Sequence, residues 1–260
     1  STKNDSIAAF NSIYIDSIIT IFMFLAGINF AMHFRLLRGE VKPFFAHRET
    51  RFYTIISMIG ILGISFSLWF FDGYTLLEAI RSGAFQAVAI ITTTGFGTDD
   101  YELWYSFGQF FLLLFFFTGG CAGSTGGGIK MIRWMILIRN TGREIKQIIH
   151  PKAILPVRIG DQAINQNMQR TVLSFFILYM FIFALGAFTI SLFGYDIITS
   201  AGASITALGN IGPGWGEFGP TDSFAKMPYI GKWVMILLMM IGRLEIFTVL
   251  IIFSPSFWKQ

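Results

Sequence analysis

The sequence predicts an all-α integral membrane protein, in which tandem span–pore half-helix–span repeats surround a pore, as in potassium channels. Of its 260 residues, 54% are hydrophobic and only 13% are charged, whereas soluble chains carry roughly 25% charged residues. Several apolar runs reach the roughly 20 residues that a transmembrane helix needs. A duplication within the chain repeats the same order of elements. Together these observations favour a membrane protein over a large soluble domain.

Apolar runs divide the chain into spans and shorter segments. Four runs are long enough to cross a bilayer, namely 13–34, 52–71, 171–193 and 229–253. A fifth run, 104–118, meets a glycine cluster and resumes at 129–138, which predicts a broken spanning helix. Two further runs, 75–91 and 196–208, are too short to span. Each of them precedes a glycine-containing turn and a polar loop, which is typical of a re-entrant half-helix.

The positions of lysine and arginine predict the orientation of the chain. Thirteen of the nineteen basic residues fall in the loops 35–51 and 130–170, which the positive-inside rule places in the cytoplasm. Both half-helices then lie on the outer side, where the loops are mostly acidic. Because topology explains the net charge of +4, we expect membrane lipid and no nucleic acid as a partner. The single cysteine and three scattered histidines predict neither an intrachain disulfide nor a metal cluster.

The duplication becomes visible when the chain is shifted by 117 residues. Thr94-Gly95-Phe96-Gly97 then aligns with Ile211-Gly212-Pro213-Gly214, and the second span aligns with the fourth. The segment 1–5 resembles the exit from a third such turn. Four units around an axis would enclose a pore, so we expect at least one and a half further repeats in the whole protein.

The two aligned turns have the chemistry of a potassium filter. We call residues 92–97 the first turn and residues 208–214 the second turn. A desolvated cation needs oxygen ligands, which rings of backbone carbonyls supply, and glycine permits the φ values that point successive carbonyls the same way. Each half-helix also directs its partially negative C-terminal end at the ion. The alternative is that both turns merely reverse a re-entrant loop, although their equal spacing argues against it.

Three motifs give the sequence a family resemblance. They are Thr93-Thr94-Gly95-Phe96-Gly97-Thr98, Gly209-Asn210-Ile211-Gly212-Pro213-Gly214 and Gly119-Gly120-Cys121-Ala122-Gly123-Ser124-Thr125-Gly126-Gly127-Gly128-Ile129-Lys130. With them the chain resembles the Trk/Ktr/HKT superfamily of potassium transporters, and within it the bacterial TrkH branch. The resemblance covers nearly the whole chain. It implies that residues 1–51 end the second repeat, that 52–170 form the third repeat with the cytosolic connector, and that 171–260 form the fourth.

The same resemblance implies site residues, partners and location. Potassium would be the transported ion, the protein would be a multi-pass homodimer of the bacterial inner membrane, and a cytosolic regulatory subunit resembling TrkA would bind any nucleotide. The implied filter residues are Thr93, Thr94, Gly95, Asn210, Ile211 and Gly212, with Thr92, Phe96 and Pro213 beside them. Because the first filter and most of the second are absent from this chain, the potassium-to-sodium preference stays open.

A glycine-rich break is the candidate gate. Residues 119–128, which we call the glycine loop, contain six glycines at membrane depth, where irregular backbone must be buried in protein or line water. In the resembling family such a loop is a flexible barrier below the filter, whereas a kinked packing helix is the alternative. The pattern of a phosphate-binding loop fails because Ile129 separates Gly128 from Lys130. The candidate gate residues are Gly119, Gly120, Gly123, Gly126, Gly127, Gly128, Lys130 and Arg243.

Arg243 is the residue that interrupts the last span. An arginine at membrane depth is costly unless it faces the bundle interior or water. It lies 31 residues after Gly212, as Gly126 lies 31 residues after Gly95, so the repeat places both at one depth. We hypothesise that Arg243 binds carbonyls of the glycine loop and opposes cations electrostatically. The alternative is that its side chain extends towards the cytoplasm.

Three functions remain to be compared. The first is a gated potassium pore, and the second is an alternating-access carrier of another cation or solute. The third is an intramembrane enzyme, which we do not expect because no histidine base or metal site accompanies Gly123-Ser124-Thr125-Gly126. Carrier repeats are often inverted, whereas these repeats run parallel, which favours the pore. The polar stretch 141–169 is either an ordinary cytoplasmic loop or a docking segment that moves the gate.

Overall fold

The computed structural model describes residues 6–153, 155–160, 162–244, 246–252 and 257–258. Eleven α-helices form this part of the chain: α1 Ile13–Ala26, α2 Phe30–Leu37, α3 Val41–Ala46, α4 Arg48–Phe70, α5 Leu76–Ile91, α6 Ser106–Phe116, α7 Met131–Ile149, α8 Gln166–Ser191, α9 Ile197–Gly209, α10 Tyr229–Arg243 and α11 Ile246–Ile252. Short 3₁₀ helices cover Ala8–Phe10, Tyr101–Leu103, Gly216–Phe218 and Phe224–Lys226. Strands β1 (Arg158–Ile159) and β2 (Gln162–Ala163) pair in an antiparallel hairpin.

The helical architecture confirms the predicted fold class. Among the described helices, α4 and α8 are each long and apolar enough to cross a membrane alone. The pair α1 and α2 adds a third span if its two helices count as one. Helices α4 and α8 correspond to the predicted spans 52–71 and 171–193. Helices α5 and α9 correspond to the predicted half-helices, with bounds that differ by one residue.

The prediction that residues 13–34 form one continuous spanning helix is wrong. Helices α1 and α2 meet at an angle of 103°. Asn29 ends the break by accepting a hydrogen bond from the N–H of Ala31 at 2.8 Å, as a capping residue does. At Gly27 a side chain would collide with the hydroxyl of Tyr53. Packing against α4 therefore selects glycine at the bend, and apolarity alone did not reveal this.

Two other predicted boundaries also differ from the structure. The run 229–253 is not one described helix, since α10 ends at Arg243 and α11 begins at Ile246; Phe253 lies outside the described residues, as does the segment 1–5. Helix α7 continues to Ile149 rather than 138, because its amphipathic, basic second half needs no membrane to be helical. The stretch 141–169 therefore begins as helix and contains the β1–β2 hairpin.

The two half-helices form the centre of the fold. Helix α5 packs against α4 and α1, and α9 packs against α8 and α10. Small residues allow close approach at these contacts: Gly83 of α5 lies against Ser65 of α4, and Gly186 of α8 lies against Ser204 of α9. The C-terminal half of α5 and most of α9 are buried. The turns that follow them are thereby held in place.

Candidate functional site

The first and second turns repeat the same backbone hydrogen bonds. The N–H of Thr94 donates to the carbonyl of Ala89 at 2.9 Å, and the N–H of Ile211 donates to that of Thr206 at 3.0 Å. Each pair maps onto the other with the shift of 117 residues. The N–H groups of Thr93 and Asn210 likewise donate to equivalent carbonyls in α5 and α9. The duplication therefore extends from sequence to individual hydrogen bonds.

Backbone angles repeat in the two turns as well. Thr93 and Asn210 both have φ of 54°, while Gly95 has φ of 73° and Gly212 has φ of 123°. Left-handed φ is uncommon for a residue with a side chain, and it clusters at functional sites. Within the described chain, no hydrogen bond uses the carbonyls of 93–95 or 210–212. These oxygens are thus available as ligands.

The two turns lie directly against each other. A Cβ atom built on Gly95 would overlap the carbonyl oxygen of Ile211, and one built on Gly212 would lie 3.5 Å from the Cα of Gly95. A cavity of about 470 Å³ borders both turns, with Thr93, Thr94, Asn210, Ile211 and Gly212 in its wall. The structure thus brings together the predicted residues from both repeats. Phe96 is the residue after Gly95, and Pro213 contacts the Gly95 position.

The glycine loop contacts the C-terminal ends of both half-helices. The N–H of Gly127 donates to Oγ1 of Thr93 at 2.6 Å. A Cβ on Gly126 would lie 3.2 Å from the carbonyl oxygen of Thr92, and one on Gly127 would overlap that of Gly209. Main chain meets main chain at both points. The overlap excludes a side chain at 127, whereas a Cβ at 126 would make a tight contact.

The glycine loop closes on itself at its base. The N–H of Gly119 donates to the carbonyl of Ile129 at 2.9 Å, and the N–H of Met131 donates to that of Gly120 at 3.1 Å. Gly123 and Gly128 have φ of 72° and 64°, which glycine adopts without strain. The loop is therefore a defined structure rather than a kinked helix.

Two basic side chains donate hydrogen bonds to carbonyl groups of the glycine loop. Nη1 of Arg243 donates to the carbonyl of Thr125 at 2.7 Å, and Nζ of Lys130 donates to that of Gly126. Both side chains border a cavity of about 260 Å³ that Tyr179 and Phe175 also line. The contact of Arg243 with the loop is the one that the sequence analysis hypothesised.

Sequence reasoning missed the partners of the glycine loop in other helices. The N–H of Cys121 donates to the carbonyl of Gly27 at 2.8 Å, so the bend between α1 and α2 touches the loop. Oε1 of Glu49, in the first turn of α4, accepts from the N–H groups of Ala122 at 2.7 Å and Ile132 at 3.0 Å. A lone glutamate between basic residues at the start of a span was the available signal.

An outer clamp on the second turn was also missed. The hydroxyl of buried Tyr101 donates to the carbonyl of Gly214, and Oε1 of Glu102 accepts from the N–H of Gly216. Burial raises the pKa of Glu102 above its ordinary value, and Asp100 and Asp222 act in the same direction, while the Gly216 N–H lowers it. The loop that follows the first turn thereby holds the segment around the end of the second turn.

Comparison with known proteins now identifies the family. The family model described as "TrkH: Cation transport protein" matches residues 1–260. The chain belongs to the TrkH family. As in that family, it is a multi-pass protein of the bacterial inner membrane, and transport rather than catalysis is the family's activity.

Individual TrkH relatives show how much of the protein this chain represents. The Trk system potassium uptake protein TrkH of Salmonella typhimurium is 36% identical over 262 residues, which is 100% of this chain and 54% of the relative. The potassium uptake protein TrkG of Escherichia coli K12 is 35% identical over 261 residues. The crystal structure of the potassium transporter TrkH from Vibrio parahaemolyticus matches with a TM-score of 0.92 at 35% identity, over 99% of this chain and 56% of that chain. The chain thus spans about half the length of these TrkH relatives.

Proposed function

We propose that the protein containing this chain takes up potassium across the bacterial inner membrane through a carbonyl-lined filter. The observation that carries the proposal is the close contact between the two turns. The carbonyl oxygen of Ile211 lies so near Gly95 that a Cβ atom at Gly95 would overlap it. Their backbone N–H groups donate back into the half-helices, and their carbonyls are left for an ion. Potassium is compatible with neutral oxygen ligands of this kind. The relatives named as potassium uptake proteins support the choice of ion.

The glycine loop and Arg243 form the gate in this proposal. The loop lies against the ends of both half-helices, so an ion that leaves the filter towards the cytoplasm meets it first. Arg243 places a positive charge on the same loop, which opposes a cation electrostatically. Opening requires the loop to move.

Regulation and assembly complete the proposal. A cytosolic nucleotide-binding subunit resembling TrkA would act through α7, because this helix leaves the glycine loop at Met131 and extends to Ile149. A pull on α7 would be transmitted to the base of the loop. We also propose a homodimer, as the family resemblance implies.

An alternating-access carrier of another cation or solute is the alternative. Parallel repeats with both turns in contact support the pore instead. The test is rescue of a potassium-uptake-deficient bacterium by the full-length protein at low external potassium. Growth supports the proposal, and failure despite good membrane expression overturns it. Unitary currents from the purified protein in bilayers would support a pore, whereas their absence alongside saturable uptake would support the carrier.

A further inference from the structure

We propose that Glu49 is the positioning residue that holds the glycine loop in its closed position. Its side chain belongs to α4, which is a neighbouring helix rather than part of the loop. The residue is only 5% exposed. A buried carboxylate is costly unless hydrogen bonds compensate it, so its burial here indicates a specific role. The inference rests on the proposed function of the loop as a gate.

The geometry places Glu49 between the two arms of the glycine loop. A single oxygen, Oε1, accepts from the N–H of Ala122, which lies in the first half of the glycine loop. The same oxygen accepts from the N–H of Ile132, which follows the loop. Hydrogen bonds to a charged acceptor are roughly twice as strong as neutral ones. Ile132 also lies in the first turn of α7, where the helix end is partially positive and favours a carboxylate. Glu49 therefore ties the loop to the helix through which a partner would act.

A second part of α4 supports the same region. Tyr53, one turn after Glu49, donates its hydroxyl to the carbonyl of Phe24 at 3.0 Å. That carbonyl precedes the α1–α2 bend, and Gly27 in the bend accepts from the N–H of Cys121. The two residues on one face of α4 thus hold the loop and the bend that it touches.

The other repeat provides an internal comparison. The shift of 117 residues places Gln166 at the position of Glu49, and Gln166 is exposed at the start of α8. The last repeat has no glycine-rich break at the position corresponding to 119–128. A buried acid thus occurs in the repeat that has a loop to hold, whereas an exposed neutral residue occurs in the other. This difference is expected if the acid serves the loop.

Cys121 offers a direct measure of loop position. It is the only cysteine of this sequence, lies inside the glycine loop and is 0% exposed. The experiment uses the full-length protein with Cys121 as its only cysteine and follows the rate of modification by a water-soluble methanethiosulfonate. Local opening sets that rate when a buried group must become exposed.

Glu49→Ala should accelerate modification of Cys121 by at least about tenfold, because two partly buried N–H groups lose their acceptor. Glu49→Gln keeps an oxygen acceptor and should give a smaller acceleration. Glu40→Ala, which removes an exposed glutamate before α4, is the matched control and should leave the rate unchanged. Equal rates in Glu49→Ala and the parent protein would overturn the proposal.

A second reporter separates loop release from general unfolding. Ser57→Cys, combined with Cys121→Ser, places a thiol at a fully buried position two turns further along α4. Glu49→Ala should not change its modification; equal acceleration at both positions would overturn the specific role. Potassium flux is measured on the same variants. Faster modification without higher flux would leave Glu49 as the anchor and would instead contradict the proposed gate.

Discussion

Oγ1 of Thr93 accepts a hydrogen bond from the backbone N–H of Gly127 at 2.6 Å. One residue of the first turn therefore belongs to the candidate filter through its backbone and to the candidate gate through its side chain. The two functions share this residue because the glycine loop lies against the end of α5. A change in the loop is expected to reach the filter by this route.

Thr93→Val tests that shared bond. Valine keeps the shape of threonine, so the left-handed backbone at this position gains no new strain, but the N–H of Gly127 loses its acceptor. A typical hydrogen bond contributes about 0.5–1.5 kcal/mol, so basal potassium flux should rise roughly two- to tenfold. This basal flux is measured as the uptake of rubidium, in place of potassium, into proteoliposomes without the regulatory subunit. Thr93→Ser retains the hydroxyl and should behave as the parent; equal flux in the two variants would refute the prediction.

Gly95→Ser should reduce discrimination of potassium over sodium. The new Cβ would overlap the carbonyl oxygen of Ile211, and φ of 73° is unfavourable for serine. If displacement of that carbonyl changes the binding free energy of potassium relative to sodium by about 1.4 kcal/mol, the selectivity for potassium changes tenfold. Competitive uptake of the two ions measures the ratio. Gly97→Ser is the matched control, since a Cβ there meets its nearest neighbour, Gln86, at 3.8 Å. An unaltered ratio in Gly95→Ser would leave Gly95 as a turn residue only.

Arg243→Ala should increase potassium flux. A unit charge about 8 Å from a cation opposes it by about 2 kcal/mol at an effective dielectric constant of about 20, so an increase of tenfold or more is expected. Arg170→Ala removes an exposed charge near the start of α8, at a residue that lies in the wall of neither cavity described above, and should leave flux unchanged. Unchanged or lower flux in Arg243→Ala would count against the barrier.

Glu102→Gln should remove a pH dependence of stability from the outer clamp. Burial raises the pKa of Glu102 in the folded protein, so the folded state binds this proton more readily than the unfolded state. The resulting stabilisation is complete below the ordinary pKa, near 4.5, and is lost as the pH rises through the raised value. The Tm of the parent, relative to that of Glu102→Gln, should therefore fall with rising pH. A constant difference in Tm across this window would contradict the assignment.

The two turns that form the candidate filter could be predicted from sequence because they depend on local and repeated features. Hydrophobic length defines α4 and α8, and a half-helix followed by glycine defines each turn. The shift of 117 residues predicted which residues would be equivalent, and the hydrogen bonds of Thr94 and Ile211 follow it. The division into three repeat segments and the roles of the site residues stay predictions.

What only the tertiary structure decided is how the breaks in different helices meet. The bond from Gly127 to Thr93 joins residues 34 apart, and that from Ala122 to Glu49 joins residues 73 apart. No periodicity encodes such contacts, because each depends on how several helices pack together. The sequence by itself determined the membrane class, the repeat and the turns, since these follow from apolar length and glycine positions. The bend at Gly27, the clamp by Tyr101 and the burial of Glu49 arise from packing, which places main-chain groups of one element beside polar side chains of another.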